Sequence, residues 1–560
     1  MQRAAGSAPG AAAARRAVPG AAPCATSSAA EARTGTQRAT RALLHLALLS
    51  AACLGGTLLG QHARSRGSSV APAAAVPPSA TEAPAGSIHL AVVAPLQQAS
   101  PFGSFGRQAS WHEVLQHTAQ RLAWQDPAFS LTLHDSAALG GGSDAERSAL
   151  QAALQHSAAA LAIGVTDPTA AQALAPLLAA APTALAVGSH AALASATRLG
   201  GRQPAQPAAG GLAALLAKLF PDKQANEDQQ VLHTVEELFK RGTSDDFLFI
   251  FLVLANSYVK EVPAVAMSFK QKNAGLPELQ CMIGKCGAQI FSCVTDTSCK
   301  AALDCLSACD FNDQVCSYRC ITSYESRKLE EFSLCIIQKH NCFGLNADIP
   351  MVPDPAPMAS FKGQPMTHEL AEDLFIGWLQ DPSTALAPLR GGEQLPYSWR
   401  VFAGKNAAYD FFPCQNQLFY RGKGRGGMWY DPVFQVKTID GRTVWRRRHY
   451  RVKRDRLPGT FRFSVLDNGV TSNEFWRVLD CEEGLDWCVF YYSGAASRAG
   501  LSYSGAILAS KSGDWPASQE ARARIQQALD SAGIKMWELS NVDNSGCAGA
   551  PLDPALMAMA

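Results

Sequence analysis

Ten cysteines lie within residues 281–342: Cys281, Cys286, Cys293, Cys299, Cys305, Cys309, Cys316, Cys320, Cys335 and Cys342. Thiols at this density either pair oxidatively or hold a soft metal. The centre of the pattern is Cys305-x3-Cys309, six residues, then Cys316-x3-Cys320. Positions four apart share one face of a helix. Two helices joined by a short turn therefore bring Cys309 to Cys316 and Cys305 to Cys320. The same nesting upstream pairs Cys286 with Cys293 and Cys281 with Cys299, leaving Cys335 and Cys342 to close a local loop. Spacing alone does not fix connectivity, since four cysteines already allow three pairings. Zinc sites favour CxxC pairs with histidine. This stretch has no CxxC and a single histidine, His340, so no metal is expected. Four later cysteines extend the pattern. Cys414 and Cys547 bracket the C-terminal region, and Cys481 and Cys488 flank a short turn that a local bridge would close.

Disulfides need oxidising surroundings, and the N-terminus offers a route to them. Residues 1–41 carry six arginines (Arg3, Arg15, Arg16, Arg33, Arg38, Arg41) against one acidic residue, Glu31. Ala, Ser and Thr fill most of the rest, which is organelle transit-peptide composition. An apolar run, Ala42–Leu59, follows at once. Together, residues 1–60 read as a transit peptide plus a segment for a second membrane crossing, into the thylakoid lumen; a single signal-anchor helix is the competing reading. Residues 61–86 are a Pro/Ala/Ser linker.

The elements behind the linker fall into three regions. A chain of 560 residues is expected to form several domains, and a net charge of +2 argues against a nucleic-acid partner. Residues 87–270 alternate strand and helix signals. Ile88–Ala94, Phe129–His134, Ala159–Val165 and Thr183–Val187 read as strands, which predicts an α/β layer domain with a largely parallel sheet. It has no GxGxxG and no Walker loop. Its Gly140–Ser143 turn, between strand and helix, reads as a flexible loop rather than a phosphate cradle. A helical extension includes Phe247–Ala255, too short to span a bilayer; it is expected to pack this domain against the cysteine module. Residues 276–345 form that disulfide-rich helical module, and a proline-rich joint, Pro350–Pro357, leads out of it. Residues 358–547 show eight short strands, with turns at Asp440-Gly441, Pro458-Gly459 and Asn468-Gly469 and a closing amphipathic helix, Ser518–Ser531. That pattern predicts an up-and-down antiparallel β-barrel able to enclose one apolar ligand. Residues 548–560 are a tail.

The module followed by the barrel resembles the violaxanthin de-epoxidase family, most closely its related proteins. All ten module cysteines match the family's run, with one shorter gap between Cys309 and Cys316. Cys414 and Cys547 match its barrel pair. Trp399–Gln415 (WRVFAGKNAAYDFFPCQ), Val436–Asp440, Val489–Gly494 and Cys547–Leu556 match as well. The resemblance covers roughly 276–556. It implies a lipocalin-like barrel that holds a carotenoid epoxide, or another apolar ligand, in the chloroplast thylakoid lumen and removes the epoxide oxygen with ascorbate as co-substrate.

That chemistry needs a proton donor, and a carboxyl buried in an apolar barrel can hold a proton in mild acid. Asp410 matches the family's catalytic aspartate. Tyr409, Gln415, Tyr491 and Tyr492 are the ligand-binding candidates. The chain also departs from the pattern. Two family histidines, one tied to acid response, are replaced by Gln417 and Tyr420; a ligand-contacting tyrosine is replaced by Ala509; and Phe361-Lys362-Gly363 is separated from Trp399 by an insert. The resemblance therefore supports two functions, a de-epoxidising oxidoreductase or a non-catalytic lipocalin-like carrier or regulator. The α/β domain leaves room for a third, a scaffold. Trp445–Arg456, with six Arg, one Lys and one His, reads as a solvated or edge strand, with the thylakoid membrane surface as a second partner. His449, among these arginines, is expected to resist protonation.

Overall fold

The computed structural model describes residues 87–552, except 105–106, 140–143, 205–222, 381–384, 387, 389–390, 407–410 and 425. The targeting segments, the linker, the Gly140–Ser143 turn, most of the tail, and both Tyr409 and Asp410 lie outside the described residues.

The α/β domain comprises β1 (Ile88–Ala94), β2 (Ala99–Ser104), β3 (Arg107–Ser110), α1 (Trp111–Gln125), β4 (Phe129–Asp135), α2 (Asp144–His156), β5 (Ala159–Ile163), α3 (Pro168–Leu178) and β6 (Ala184–Val187). Its four-stranded parallel sheet runs β4-β1-β5-β6. β1 and β5 are near-continuous apolar runs because both of their faces are covered. Leu90, Val92, Leu161 and Ile163 meet Val114 and Leu122 of α1. Ala91, Val93, Ala160 and Ala162 meet Leu154 of α2 and Leu174 of α3. The β2–β3 hairpin is an addition the strand pattern did not predict.

Three helices follow: α4 (Lys223–Arg241), α5 (Ser244–Tyr258) and α6 (Pro263–Lys272). The Thr243 hydroxyl accepts from the Asp246 amide and caps α5, and Asp245 and Asp246 suit the positive end of its dipole. α5 is buried along most of its length in the α/β core, and Phe249 reaches Phe311 of the cysteine module at 6.4 Å. Among the described residues no single helix is long and apolar enough to cross a membrane.

The module consists of α7 (Leu276–Val294), α8 (Thr297–Ala308), α9 (Gln314–Ser323) and α10 (Arg327–Ser333), with a wider helical turn at Leu334–Lys339. Cys305–Cys320 and Cys309–Cys316 bridge α8 and α9 in the nested arrangement. The upstream nesting is corrected: the bridges are Cys293–Cys299, Cys286–Cys335 and Cys281–Cys342. The reason is the length of α7. Cys286 and Cys293 lie seven residues apart on one helix, about 10 Å along its axis, beyond disulfide reach. Cys293 instead meets Cys299 across the turn, and the start of α7 is stapled to the returning chain. Cys414–Cys547 and Cys481–Cys488 are also formed.

The C-terminal region opens with α11 (His368–Ile376), inside the insert before Trp399. The barrel strands are β7 (Trp399–Lys405), β8 (Asn416–Arg421), β9 (Gly427–Lys437), β10 (Tyr450–Arg454), β11 (Thr460–Asp467), β12 (Val470–Cys481), β13 (Trp487–Ala496) and β14 (Leu501–Ser510). Each pairs antiparallel with the next, and β7 pairs with both β14 and β8, which closes the barrel. Thr443–Arg447 pairs with the far half of β9. Alternate residues face in and out. Trp399, Phe419, Tyr430, Phe463, Trp476, Phe490 and Tyr492 share the inner cluster. Phe402, Val489, Tyr491 and Leu508 face outward beneath Ile525 and Leu529 of α12 (Gln519–Ser531). Phe375 of α11 plugs the inner cluster, 4.7 Å from Phe490, 4.8 Å from Phe419 and 5.1 Å from Phe461. The Trp399 indole donates to the Leu374 and Phe375 carbonyls, both at 3.0 Å, and pins the plug.

The basic stretch is in part the solvated face and edge expected: Arg451, Lys453 and Arg456 are exposed, and Thr443–Arg447 pairs on one side only. The other arginines find acids on neighbouring elements. Arg446 meets Glu325 of the module, Arg447 meets Asp431 (2.6 Å), Arg448 meets Asp467 (2.6 Å), and Arg454 meets Glu369 and Glu372 (2.8 and 2.7 Å).

Candidate functional site

The chemistry-bearing group inside the barrel is Glu474, in the middle of β12. The inward register Glu474, Trp476, Val478 carries it toward the barrel interior, and it is 4% exposed. Tyr503 of β14 donates to one carboxylate oxygen (2.8 Å) and the Trp476 indole to the other (2.6 Å). Space for this trio comes from Gly494, which lies opposite both Glu474 and Tyr503. A β-carbon there would fall 2.6 Å from the Tyr503 ring and 2.8 Å from Glu474 Cγ. Burial pushes the Glu474 carboxyl above the ordinary glutamate range; the two donors pull it down and do not cancel the burial. Glu474 thus holds its proton at a pH where an exposed glutamate has lost it.

Tyr492 completes the arrangement. It stacks on Trp476 at 4.8 Å, and Trp476 stacks on Phe463 at 4.6 Å. Asn406, directly after β7, donates to the Tyr492 hydroxyl at 2.6 Å. The cluster therefore brings together a carboxyl of raised pKa, two phenols and an aromatic wall, groups suited to delivering a proton to an oxygen placed beside them.

The sequence candidates fall in different places. Tyr492 belongs to this cluster. Tyr491, its neighbour, is corrected: it points outward against α12, because successive residues of a strand face opposite sides. Gln415 is buried just before β8, where its side-chain amide donates to the Phe412 carbonyl (3.0 Å) and its backbone carbonyl accepts from the Val401 amide (3.0 Å). Those contacts build the β7–β8 wall. Glu474 and Tyr503 were missed.

The positions of the family's histidines divide as well. Gln417 faces inward and accepts from the Tyr430 hydroxyl. Tyr420 faces outward and donates to Asp431 (3.2 Å). His449, which the sequence sets among arginines, places Nδ1 2.7 Å from Asp431 and stacks on Trp429 at 4.3 Å. The close sets of metal-ligand atoms among the described residues, Cys286/Cys335/His340 and Cys309/Cys316/Cys320, consist mainly of sulfurs already spent in disulfides.

Comparison with known proteins bears on this barrel. Residues 278–544 match the VDE lipocalin domain family. The chain is 22% identical over 285 residues to the chloroplastic violaxanthin de-epoxidase of Spinacia oleracea, covering 50% of this chain and 54% of that protein. It is 20% identical over 272 residues to that of Nicotiana tabacum, covering 47% and 50%. The chain thus spans about half the length of the curated relatives it matches. Among solved structures, it is similar to the siderocalin Ex-FABP (TM-score 0.21, 12% identity, 27% of this chain and 94% of that one). It is also similar to apocrustacyanin C2 (TM-score 0.20, 10% identity, 27% and 78%).

Proposed function

We propose, from the match of residues 278–544 to the VDE lipocalin domain family, that this barrel binds a xanthophyll epoxide and reduces it with ascorbate in the thylakoid lumen. The observation that carries the reading is Glu474, a proton-holding carboxyl inside an aromatic barrel. Glu474 gives its proton to the epoxide oxygen as the C–O bond breaks, and the polyene spreads the positive charge that develops. Ascorbate supplies two electrons. The oxygen leaves as water with a second proton, a carbon–carbon double bond forms, and ascorbate becomes dehydroascorbate. Tyr492 and Tyr503 orient the end ring of the substrate. Asp410, matched by sequence to the family's catalytic aspartate, remains the rival acid.

The test incubates the oxidised protein with violaxanthin, ascorbate and galactolipid at acid pH and measures zeaxanthin. Loss of product in Glu474→Gln, with pigment still bound, supports Glu474. Loss only in Asp410→Asn moves the acid to that residue. A second reading, a pigment carrier without turnover, is favoured by the replacement of both family histidines by Gln417 and Tyr420. Pigment bound stoichiometrically and recovered unchanged would establish it.

A further inference from the structure

Resting on that reading of the barrel, we propose that the α/β domain is part of the site: Asp245, from α5, and Lys405, at the end of β7, are positioning residues that hold Tyr492 in place.

The observations converge on one strand end. The Lys405 side chain leaves the barrel and is 7% exposed. Its ammonium donates to both oxygens of Asp245, at 2.9 and 3.0 Å. Arg121 of α1 meets Asp245 from the other side. Arg121 also lies 3.4 Å from Glu538, which follows α12 and is fully buried, and Glu538 accepts from Ser244 (2.5 Å) and lies 2.9 Å from His117. The α/β side thus contributes Arg121 and Asp245, and the barrel side contributes Lys405 and Glu538. Arg121–Asp245 is made within the α/β side, and the pairs that cross to the barrel side are Lys405–Asp245 and Arg121–Glu538.

The next residue carries this attachment into the barrel. Asn406 follows Lys405 and donates to the Tyr492 hydroxyl. The Lys405 carbonyl and the Tyr492 phenol also converge on Gly505, where a β-carbon would meet them at 2.1 and 2.7 Å. The backbone of Lys405, the Asn406 amide and the phenol are therefore packed as one unit. Tyr492 stacks on Trp476, which holds Glu474. Beside this junction runs a cleft of about 180 Å³ lined by Thr243, Asp245, Lys405, Asn406 and Phe411. Trp537, beside Glu538, packs into the α/β core against Phe102 on one side of this cleft, and the ion pairs fix the Lys405 end of it. A shift of about 1 Å at such a support is enough to spoil a reacting geometry.

The experiment uses the full oxidised chain with Lys405→Met, Lys405→Arg, Asp245→Asn and Tyr492→Phe. Amide exchange is followed for the peptide spanning the end of β7 and for a control peptide in β12. Violaxanthin affinity is read by quenching of tryptophan fluorescence. Lys405→Met and Asp245→Asn are expected to speed exchange at the end of β7 about tenfold, leave β12 unchanged, and weaken pigment binding about tenfold, whereas Lys405→Arg restores both. Lys405→Met combined with Tyr492→Phe should cost no more affinity than the worse single variant, since both act through one phenol. Unchanged exchange at β7, exchange that rises equally in β12, or additive losses in the double variant would overturn the proposal. If wild type binds no violaxanthin, the pigment reading fails, and the exchange measurement still decides the positioning role.

Discussion

The indole nitrogen of Trp476 donates to the carboxylate of Glu474, two residues earlier on the same strand, at 2.6 Å. Both side chains face the barrel interior, so the bond holds an acid in place without a neighbouring cation. That absence has a consequence for stability. Burial raises the Glu474 pKa, so the folded state binds its proton more tightly than the unfolded chain does. The stabilisation is complete below the ordinary glutamate range and is lost as pH rises through the raised native value. Glu474→Gln cannot ionise. It should melt higher than wild type at pH 7.5, by about 2–4 °C for each 1 kcal/mol of relieved cost, with the gap closing near pH 4. Melting curves at both pH values decide this, and a constant offset would count against it.

Phe375 is a plug with five ring contacts, and the Trp399 indole bonds its carbonyl and that of Leu374. Phe375→Ala should cost about 3–5 kcal/mol, as large-to-small changes in packed cores do. Urea unfolding followed by tryptophan fluorescence measures the loss. A cost under about 1 kcal/mol, within the range of surface substitutions or little beyond it, would mean that α11 merely rests on the barrel.

Gly469 turns β11 into β12 at φ +80°, and a β-carbon there would lie 2.4 Å from both the Glu330 carbonyl and the Leu334 amide of the module. Gly441 has a similar φ of +85° but open space around it. Both alanine variants bear the left-handed backbone cost of about 1 kcal/mol. Only Gly469→Ala should also loosen the module, seen as faster proteolysis within 276–345. Equal proteolysis of the two variants would refute a tight seat at this turn.

The staples of the module differ in the chain they close. Cys281–Cys342 spans 61 residues and Cys293–Cys299 spans six. In the loop-entropy picture, serine replacement of the first pair should cost about 4 kcal/mol and of the second about 2 kcal/mol. Chemical unfolding measures both. Peptide mapping without reductant should recover Cys281 with Cys342 and Cys286 with Cys335; recovery of Cys281 with Cys299 would restore the nested alternative.

Legibility followed the range of the interactions. The barrel strands and α12 could be read because period-two alternation and Gly-containing turns are local signals. The Cys305–Cys320 nest was local too. Cys281 and Cys342 find each other through the packing of α10 on α7, which spacing does not encode. Glu474 was hidden by a boundary: an acidic residue soon after the Asn468-Gly469 turn looks like the polar end of a strand. β12 begins four residues earlier, at Val470, and this places Glu474 mid-strand and inward. The same alternation separates Tyr491 from Tyr492. Arg451 and Arg456 face solvent as the pattern implies, whereas the pairing of Arg446, Arg448 and Arg454 was hidden because their acids, Glu325, Asp467 and Glu372, belong to distant elements.

The Cys281–Cys342 staple also resets distances along the chain. Extended, a sequence separation of 61 would reach about 200 Å, yet the two α-carbons stand 5.4 Å apart. For the domains on either side, the oxidised module is therefore a very short leash with a knot in it. That leash keeps Asp245 and Lys405 at high effective concentration relative to each other. Reduction would lengthen the leash without breaking it, so the redox state of a helical module with no part in the barrel's chemistry sets how often the two halves of its mouth meet.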